Sequence, residues 1–306
     1  MLGRLEMTVE ECIAAYTRMI KHIFEKKANH SLISMLGGVK PRFSSMALEH
    51  AISQVLEDRG VPTTAKFRDG TSPRCKVESI ARIPRRALTQ ISRDCDIVAN
   101  MISTVSFVCA KFQKTSATTR LRSYRIPTAS DLDPTILEAA LATSAAPTYF
   151  SDVAIGGTRL VDGALGANNP AQEVEEEASD LWCEETGNLQ PLVKCFISVG
   201  TGHPGIRSVS DRGLKHLLET LQKEATETES TSEKFLARWR DHVEKGRCFR
   251  FNVHHGLENV GLAEFAQEES IRTATFTYLQ KRGTIGEVKT CVDNLRMKEC
   301  TYIAQK

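Results

Sequence analysis

The sequence predicts an α/β fold, and three observations support this class. Apolar residues recur at helical spacing in several stretches, short apolar runs of strand length stand between them, and Gly or Pro marks most boundaries. Apolar side chains make up 41% of the 306 residues and charged ones 25%, which supplies ample material for a core. The sequence contains no internal repeat and no low-complexity segment.

Three helices are predicted before the middle of the chain. The first begins with a capping box, in which Thr8 caps the helix and the side chain of Glu11 reaches back. The second spans about residues 44–60 and stops at a glycine. Asp133-Pro134 is expected to open the third as a cap followed by a first-turn proline, and Pro147 to end it.

Strands and helices alternate in the second half. Gly156-Gly157 separates two short apolar runs and predicts a tight hairpin. Asn169-Pro170 is expected to open a helix, and residues 192–199 to form a buried strand. The remaining predicted elements are helices near 211–226 and 232–244, a strand at 248–253, and two closing helices.

Charge and cysteine content narrow the classes of partner and compartment. The formal net charge of +2 gives no electrostatic case for nucleic acid. Five basic and no acidic residues lie between Val105 and Arg125; this stretch could face anionic lipid, although a solvated loop is the simpler interpretation. Nine cysteines without a CxxC pair, and no targeting pattern, predict a cytoplasmic protein with reduced thiols. No apolar run reaches the roughly 18 residues of a transmembrane segment.

Three sequence blocks carry the functional information. Asp162-Gly163-Ala164 lies in a longer string that ends in Asn168-Asn169-Pro170, residues 142–150 form a block before it, and residues 197–202 form a strand end after it. Their composition, order and spacing resemble the patatin-like phospholipase family, in particular its fungal branch. The resemblance covers the whole chain except residues 78–104, and it implies a three-layer sheet-and-helix fold over residues 1–306 as a single domain.

The resemblance also implies a mechanism. Members of the family are serine hydrolases with a Ser–Asp dyad, and Asp162 matches the aspartate that accepts the serine proton. Gly163 and Ala164 complete the Asp-Gly-Ala motif, and we expect Gly163 to permit the turn by adopting positive φ. Without the flanking blocks, Asp162 would be interpreted as an ordinary turn aspartate.

The expected nucleophile is absent from this sequence. A nucleophile elbow needs Gly-x-Ser-x-Gly, and no two glycines lie four residues apart. The resemblance places the chain start on the helix that begins at that serine, so the first strand, the oxyanion loop and the nucleophile are expected upstream of Met1. Residues 37–42 and 156–159 resemble oxyanion loops superficially, but they are interpreted as a loop and a hairpin turn. Ser144 and Ser198 are interpreted as core residues.

Two further patterns are too weak to predict a site. Gly200-x-Gly202-x-x-Gly205 follows a strand but lacks the immediate helix and the acidic residue of a dinucleotide site. His254-His255 has no partners at metal-ligand spacing. We therefore expect no cofactor and no metal.

Residues 78–104 stand between two β-type runs and have weak periodicity. They hold several arginines, so they are predicted to be an insertion, and two explanations compete: a surface loop or a retained intron. The overall expectation is a lipid acyl hydrolase acting on phospholipid or another acyl ester, although this chain alone should be inactive. The alternative is a catalytically inactive interaction module or an incomplete gene product of an immune-receptor-like protein.

Overall fold

The computed structural model describes residues 1, 3–25, 41–68, 105–115, 117–126, 132–203, 215–258, 260, 261, 263 and 265–296, without the side chains of 215–226 and 265. Two compact units divide the chain, Met1–Ala164 and Leu165–Lys306. They are called here the N-terminal unit and the C-terminal unit. The predicted insertion at 78–104 and the β-type run before it lie outside the described residues.

Helices and strands both occur in the described residues, which confirms the α/β class. In the N-terminal unit the elements are α1 Val9–Phe24, α2 Ser45–Asp58, β1 Phe107–Phe112, β2 Thr118–Arg122, α3 Ile136–Thr143, β3 Val153–Ile155 and β4 Thr158–Asp162. A short helical turn, α4 Ala164–Ala167, follows, and the C-terminal unit contains α5 Ala171–Trp182, β5 Phe196–Val199, α6 Lys215–Arg238, α7 Arg240–Glu244, β6 Cys248–Phe251, α8 Glu268–Leu279 and α9 Arg282–Arg296.

The first two helices begin where the sequence predicts. Thr8 caps α1 through a complete capping box with Glu11, since each side chain binds the main-chain amide of the other residue. Ser44 caps α2 by accepting a hydrogen bond from the amide of Ala47. α1 and α2 pack on each other, and Met7, Ala15 and Val55 are buried between them.

Both ends of α3 differ from the prediction, since the helix ends at Thr143 and not at Pro147. Its cap is Thr135, which forms a capping box with Glu138, so Asp133-Pro134 precedes the helix instead of opening it. Asp133 lies 3.3 Å from the ammonium group of Lys66 and forms a salt bridge with it. The true cap is stronger because both members of the box satisfy a main-chain amide.

A four-stranded antiparallel sheet with the order β2-β1-β4-β3 forms the centre of the N-terminal unit. The stretch of five basic residues is largely the β1–β2 hairpin, so its interpretation as a solvated loop was wrong. α3 packs on this sheet through Ala139 and Ala142, which are almost completely buried. Small side chains at these positions let the helix approach β1 and β4 closely.

The C-terminal unit contains a parallel pair of strands. β5 and β6 are paired from Phe196 opposite Cys248 to Val199 opposite Phe251. The predicted strand at 192–199 is shorter than expected, because Leu192 belongs to a 3₁₀ turn, and Val199 is 73% exposed, so the strand is not fully buried. The aromatic core of this unit contains Phe196, Phe235 and Trp239.

The helices of the C-terminal unit also differ in part from the prediction. One helix, α6, spans Lys215–Arg238, where the sequence suggests two, and the short α7 follows it. β6 lies within the predicted strand at 248–253, and two helices follow it as expected. Within the described residues, no helix combines the length and the apolar character that crossing a membrane requires.

Candidate active site

Strand β4 carries Asp162 as its last residue. The hairpin before it turns at Gly156 and Gly157, whose φ angles of 56° and 78° suit the two-residue turn that matches the twist of the paired strands. The hairpin interpretation of this glycine pair is confirmed. Leu160 is fully buried in the core under the sheet, and Asp162 pairs with Ala110 on β1. Pairing with β1 therefore fixes the position of Asp162 at the end of strand β4.

Hydrogen bonds to the main chain fix both the backbone and the side chain of Asp162. Its amide donates to the carbonyl oxygen of Ala145 at 3.1 Å. Its Oδ1 accepts a hydrogen bond from the amide of Ala164 at 2.9 Å. Oδ2 has no hydrogen-bond partner among the described residues, so one oxygen anchors the carboxyl and the other can accept a proton.

The electrostatic environment makes Asp162 an unusually basic aspartate. Burial raises its pKa from 3.8 to about 6, because the ionised carboxylate loses water contacts. The hydrogen bond from the amide of Ala164 acts in the opposite direction and offsets part of that rise. A carboxyl with such a pKa is mostly ionised at neutral pH and still accepts protons.

Gly163 is required for a reason other than the predicted one. Its φ is not in the left-handed region, so positive φ is not what the turn demands. Instead, a Cβ at this position would lie 2.5 Å from the carbonyl carbon of Cys109 on β1 and closer still to its oxygen. The absent side chain lets the turn after Asp162 lie directly against the neighbouring strand.

Residues 142–150, the block that precedes the Asp-Gly-Ala motif, lie beside Asp162 and Cys109. Thr143, at the end of α3, donates its hydroxyl to the carbonyl oxygen of Cys109 at 2.7 Å. Ala145, two residues later, accepts the amide of Asp162. Residues 142–150 and the Asp-Gly-Ala turn therefore form one arrangement, as their joint occurrence in the sequence suggests.

A comparison with protein-family models identifies the family. Residues 1–174, more than half of the chain, match the model described as patatin-like phospholipase. The chain belongs to the patatin-like phospholipase family. The match confirms the resemblance to this family over residues 1–174, which include Asp162, Gly163 and Ala164.

Curated relatives of this patatin-like chain are also phospholipases by name. The calcium-independent phospholipase A2-gamma of Homo sapiens is 26% identical over 234 residues, which are 75% of this chain and 26% of the human protein. The protein of the same name from Mus musculus gives the same values. That of Oryctolagus cuniculus is 36% identical over 95 residues, 30% of this chain and 11% of that protein. The chain thus spans about a quarter of the length of the human and mouse relatives.

The structure also places the two serines that could substitute for the missing nucleophile. Ser144 is the C-cap of α3 and is half-buried. Ser198 lies inside β5, where its hydroxyl accepts a hydrogen bond from Arg250 at 2.8 Å. Neither stands on the turn between a strand and a helix that a nucleophile elbow requires. The other glycine pair, Gly37-Gly38, and Gly205 lie outside the described residues.

The His254-His255 pair, a weak metal-binding pattern in the sequence, lies within the described residues. His255 lies 3.8 Å from Glu258, on an exposed loop. Across the described residues, no group of three or more His, Cys, Asp or Glu side chains is arranged to hold a metal ion.

Sequence reasoning missed the residues that hold Asp162 in place. Thr143 and Ala145 belong to a block that was recognised but given no role, and the carbonyl of Cys109 was not considered. The block itself was the available signal, because a run of small residues before the Asp-Gly-Ala turn suggests close packing.

Proposed function

We propose that this patatin-like chain carries the proton-accepting half of a Ser–Asp dyad, in a lipid acyl hydrolase that cleaves phospholipid or another acyl ester. The observation that supports it is the state of Asp162. One carboxylate oxygen is anchored by the amide of Ala164, the other is open among the described residues, and burial raises the pKa to about 6.

In the proposed reaction, Oδ2 of Asp162 accepts the proton of a serine hydroxyl while the serine oxygen attacks the ester carbonyl. The acyl group becomes bonded to the serine, and the alcohol leaves with the proton that Asp162 returns. Water then attacks the acyl-enzyme, again with Asp162 as the base, and the fatty acid is released. The contacts of Gly163 and Ala164 keep the base fixed throughout.

The serine of the proposed dyad is not provided by a recognisable motif in these 306 residues. No Gly-x-Ser-x-Gly occurs in the sequence. We therefore propose that residues outside this sequence supply the first strand, the oxyanion loop and the nucleophile. The single-domain organisation over 1–306 and the insertion at 78–104 remain predictions of the same kind.

An acyl lipid is the proposed substrate, supported by the family and by relatives named phospholipase A2. Contact with an anionic membrane surface is proposed for the β1–β2 hairpin and the residues after it, where Lys114 and Arg125 are exposed. A cytoplasmic setting fits the described cysteines, which are free thiols.

One observation favours a second candidate function. The absence of the nucleophile motif is also what a non-catalytic interaction module of the same fold would show. The two functions differ in whether a serine hydrolase activity appears once the proposed missing segment is present.

The test begins with the 306-residue chain, assayed with a p-nitrophenyl ester, a fluorogenic phospholipid and a fluorophosphonate probe. We expect neither turnover nor labelling, because loss of the nucleophile removes nearly all covalent catalysis. Turnover together with labelling would show that the serine lies within this chain, and mass spectrometry of the adduct would identify it.

The second stage uses a chain extended by its encoded upstream residues, where these contain Gly-x-Ser-x-Gly. Asp162→Asn should lower hydrolysis by at least ~10²-fold, the lower end of general-base contributions. Asp152→Asn is the matched control, because Asp152 pairs with Arg159 at 2.6 Å on the same hairpin and has no proposed role. Hydrolysis by Asp162→Asn at the wild-type rate would reject Asp162 as the base. An extended chain without activity would favour the interaction module.

A further inference from the structure

Helix α9, the last element that the structure describes, packs against the turn before strand β6. The side-chain amide of Asn294 donates to the carbonyl oxygen of Gly246 in this turn. A Cβ at Gly246 would lie 3.0 Å from Cγ2 of Thr290, so α9 and the turn are in close contact. Cys291 lies one turn before Asn294 on the same face of the helix and is 5% exposed. The contact between α9 and the turn therefore buries this thiol.

Cys195 reaches the same place from strand β5. It precedes Phe196, whose amide donates to the carbonyl oxygen of Arg247 at 2.7 Å, so Cys195 lies beside the turn that α9 contacts. The thiol of Cys195 donates a hydrogen bond to Sγ of Cys291. Cys195 is half-buried whereas Cys291 is buried, so a small solute reaches the pair from the side of Cys195. Two thiols from distant parts of the sequence are thus in direct contact.

The other described cysteines of the C-terminal unit are less well placed to pair with Cys195. Cys248 stands opposite Phe196 in the strand pair and belongs to the aromatic core, as does Cys183. Side chains alternate between the two faces of a strand, so Cys195 and Phe196 point to opposite faces. Cys248 therefore lies across the strand pair from Cys195, and Cys291 is the thiol that meets it.

The environment of the pair favours thiols over thiolates. Burial, and then the neighbouring thiols of Cys291 and Cys248, raises the pKa of Cys195 to about 12. Burial also raises the pKa of Cys291, and the hydrogen bond from Cys195 offsets part of this rise. Because the thiolate is the reacting form, oxidation should be slow at neutral pH. The disulfide of such a pair should also resist reduction, since thiols of high pKa are poor leaving groups.

We propose that Cys195 and Cys291 form an intramolecular disulfide on exposure to hydrogen peroxide. The thiolate of Cys195 attacks the peroxide, the O–O bond breaks, and the products are a sulfenic acid on Cys195 and, after protonation, water. Sγ of Cys291, as its thiolate, then attacks the sulfur of Cys195. The S–O bond breaks, the S–S bond forms, and the departing hydroxide takes up a proton as a second water. The two sulfurs lose two electrons in all, and the peroxide gains them.

The disulfide joins α9 covalently to the chain at the start of β5, in addition to the contacts of Thr290 and Asn294 with Gly246. Local opening of α9 then becomes rarer, so its amide protons should exchange about 10-fold more slowly in the oxidised protein. Hydrogen exchange followed by mass spectrometry measures residues 282–296, and α1 in the other unit is the internal control. Unchanged exchange of residues 282–296 after oxidation would contradict the proposal, which is independent of hydrolysis by Asp162.

Mass spectrometry of the 306-residue chain tests the pairing directly. The protein is treated with hydrogen peroxide, its remaining thiols are alkylated, and it is digested with trypsin. Residues 195–207 and 290–296 should appear as one linked species that dithiothreitol separates. The tripeptide 248–250 carries Cys248 and should stay unlinked. Linkage of 195–207 to 248–250 in its place, or alkylation of both Cys195 and Cys291 after oxidation, would overturn the proposal.

Serine variants separate this pair from oxidation elsewhere in the chain. Oxidation should raise the melting temperature of the wild type by about 5–10 °C, because the disulfide restricts the unfolded chain. Cys195→Ser and Cys291→Ser should each abolish that rise and the linked species. Cys12→Ser is the matched control and should keep both, because Cys12 is also half-buried but lies near Glu11 and Arg59 in the N-terminal unit. If Cys291→Ser does not fold, Cys195→Ser still decides. An equal rise in Cys195→Ser and the wild type would contradict the pair.

Discussion

Gly163 and Cys109 are in direct backbone contact across strands β4 and β1. A Cβ at Gly163 would lie 2.5 Å from the carbonyl carbon of Cys109, a separation that real Cβ atoms do not show. The same carbonyl group accepts the hydroxyl of Thr143 at 2.7 Å. One main-chain carbonyl therefore fixes both the turn after Asp162 and the end of α3.

Gly163→Ala should destabilise the protein by about 1–3 kcal/mol, because the new methyl group must displace backbone and not a flexible side chain. Urea unfolding followed by circular dichroism measures the loss. Gly286→Ala is the matched control: it lies within α9 and its Cβ would meet nothing within 4 Å. That substitution should be neutral or stabilise by about 0.5–1 kcal/mol. Wild-type stability in Gly163→Ala would show that β1 can move away at little cost.

Thr143→Val should lower the free energy of unfolding by about 1–2 kcal/mol, because valine keeps the shape and leaves the carbonyl of Cys109 without this donor. Thr143→Ser keeps the hydroxyl and should lose less. Parallel urea titrations of the two variants make the comparison. Equal losses would show that the γ-methyl group, and not the hydrogen bond, is what matters at this position.

The sequence predicts best where the determining residues are close neighbours along the chain. Thr8 and Glu11 are three residues apart, and their capping box lies where predicted. The box of Thr135 and Glu138 was equally readable, yet Asp133-Pro134 offered a competing helix start two residues earlier. The choice of Thr135 is accompanied by the ion pair of Asp133 with Lys66, a tertiary contact that no local pattern contains.

Prediction of the candidate site is limited in the same way, because its contacts join residues that are far apart in the sequence. The position of Asp162 could be predicted from the motif, but the role of Gly163 depends on the carbonyl of Cys109, and that of Thr143 on the same carbonyl 34 residues away. Strand β2 was missed because Leu121 is its one buried residue, so it has no apolar alternation to recognise.

Thr148→Gly should stabilise the protein by about 1 kcal/mol. Thr148 has φ 70°, a conformation that a β-branched residue adopts only under strain, and its hydroxyl is buried without a partner among the described residues. Two hydrogen bonds maintain this strained conformation. The amide of Arg42 donates to the carbonyl oxygen of Thr148 at 2.8 Å, and the amide of Phe43 donates to that of Tyr149 at 3.0 Å. Relief of the strain outweighs the greater freedom of glycine in the unfolded chain.

The control for Thr148→Gly is Thr158→Gly, at a β4 position where φ is not positive. There the substitution should destabilise by about 0.5–1 kcal/mol, because glycine weakens a strand. Thermal unfolding of both variants tests the pair. A loss of stability in Thr148→Gly comparable to that of Thr158→Gly would mean that contacts of the threonine side chain exceed the strain.

Asp162→Asn should stabilise the protein at neutral pH and not at acidic pH. The folded pKa of about 6 lies above the ordinary value of 3.8, so folding favours the protonated carboxyl. The stabilisation from this group is complete below about pH 4 and is lost as the pH rises through 6. Asparagine stays neutral at every pH. The gain in the free energy of unfolding from Asp162→Asn should therefore grow between pH 4 and 6 and stay constant above about pH 7. Two pKa units correspond to ~3 kcal/mol, and partial exposure reduces this to about 1–2 kcal/mol.

Urea midpoints at pH 4, 5, 6, 7 and 8 test this dependence. Asp241→Asn provides a control of opposite sign, because the hydrogen bond from Lys245 lowers the pKa of Asp241 and its contribution is lost as the pH falls. Asp241→Asn should therefore be slightly less stable than wild type at pH 7 and equal to it in acid. A stability difference for Asp162→Asn that stays constant from pH 4 to 8 would show that Asp162 titrates normally. Its carboxyl would then lack the raised basicity on which the proposed proton transfer depends.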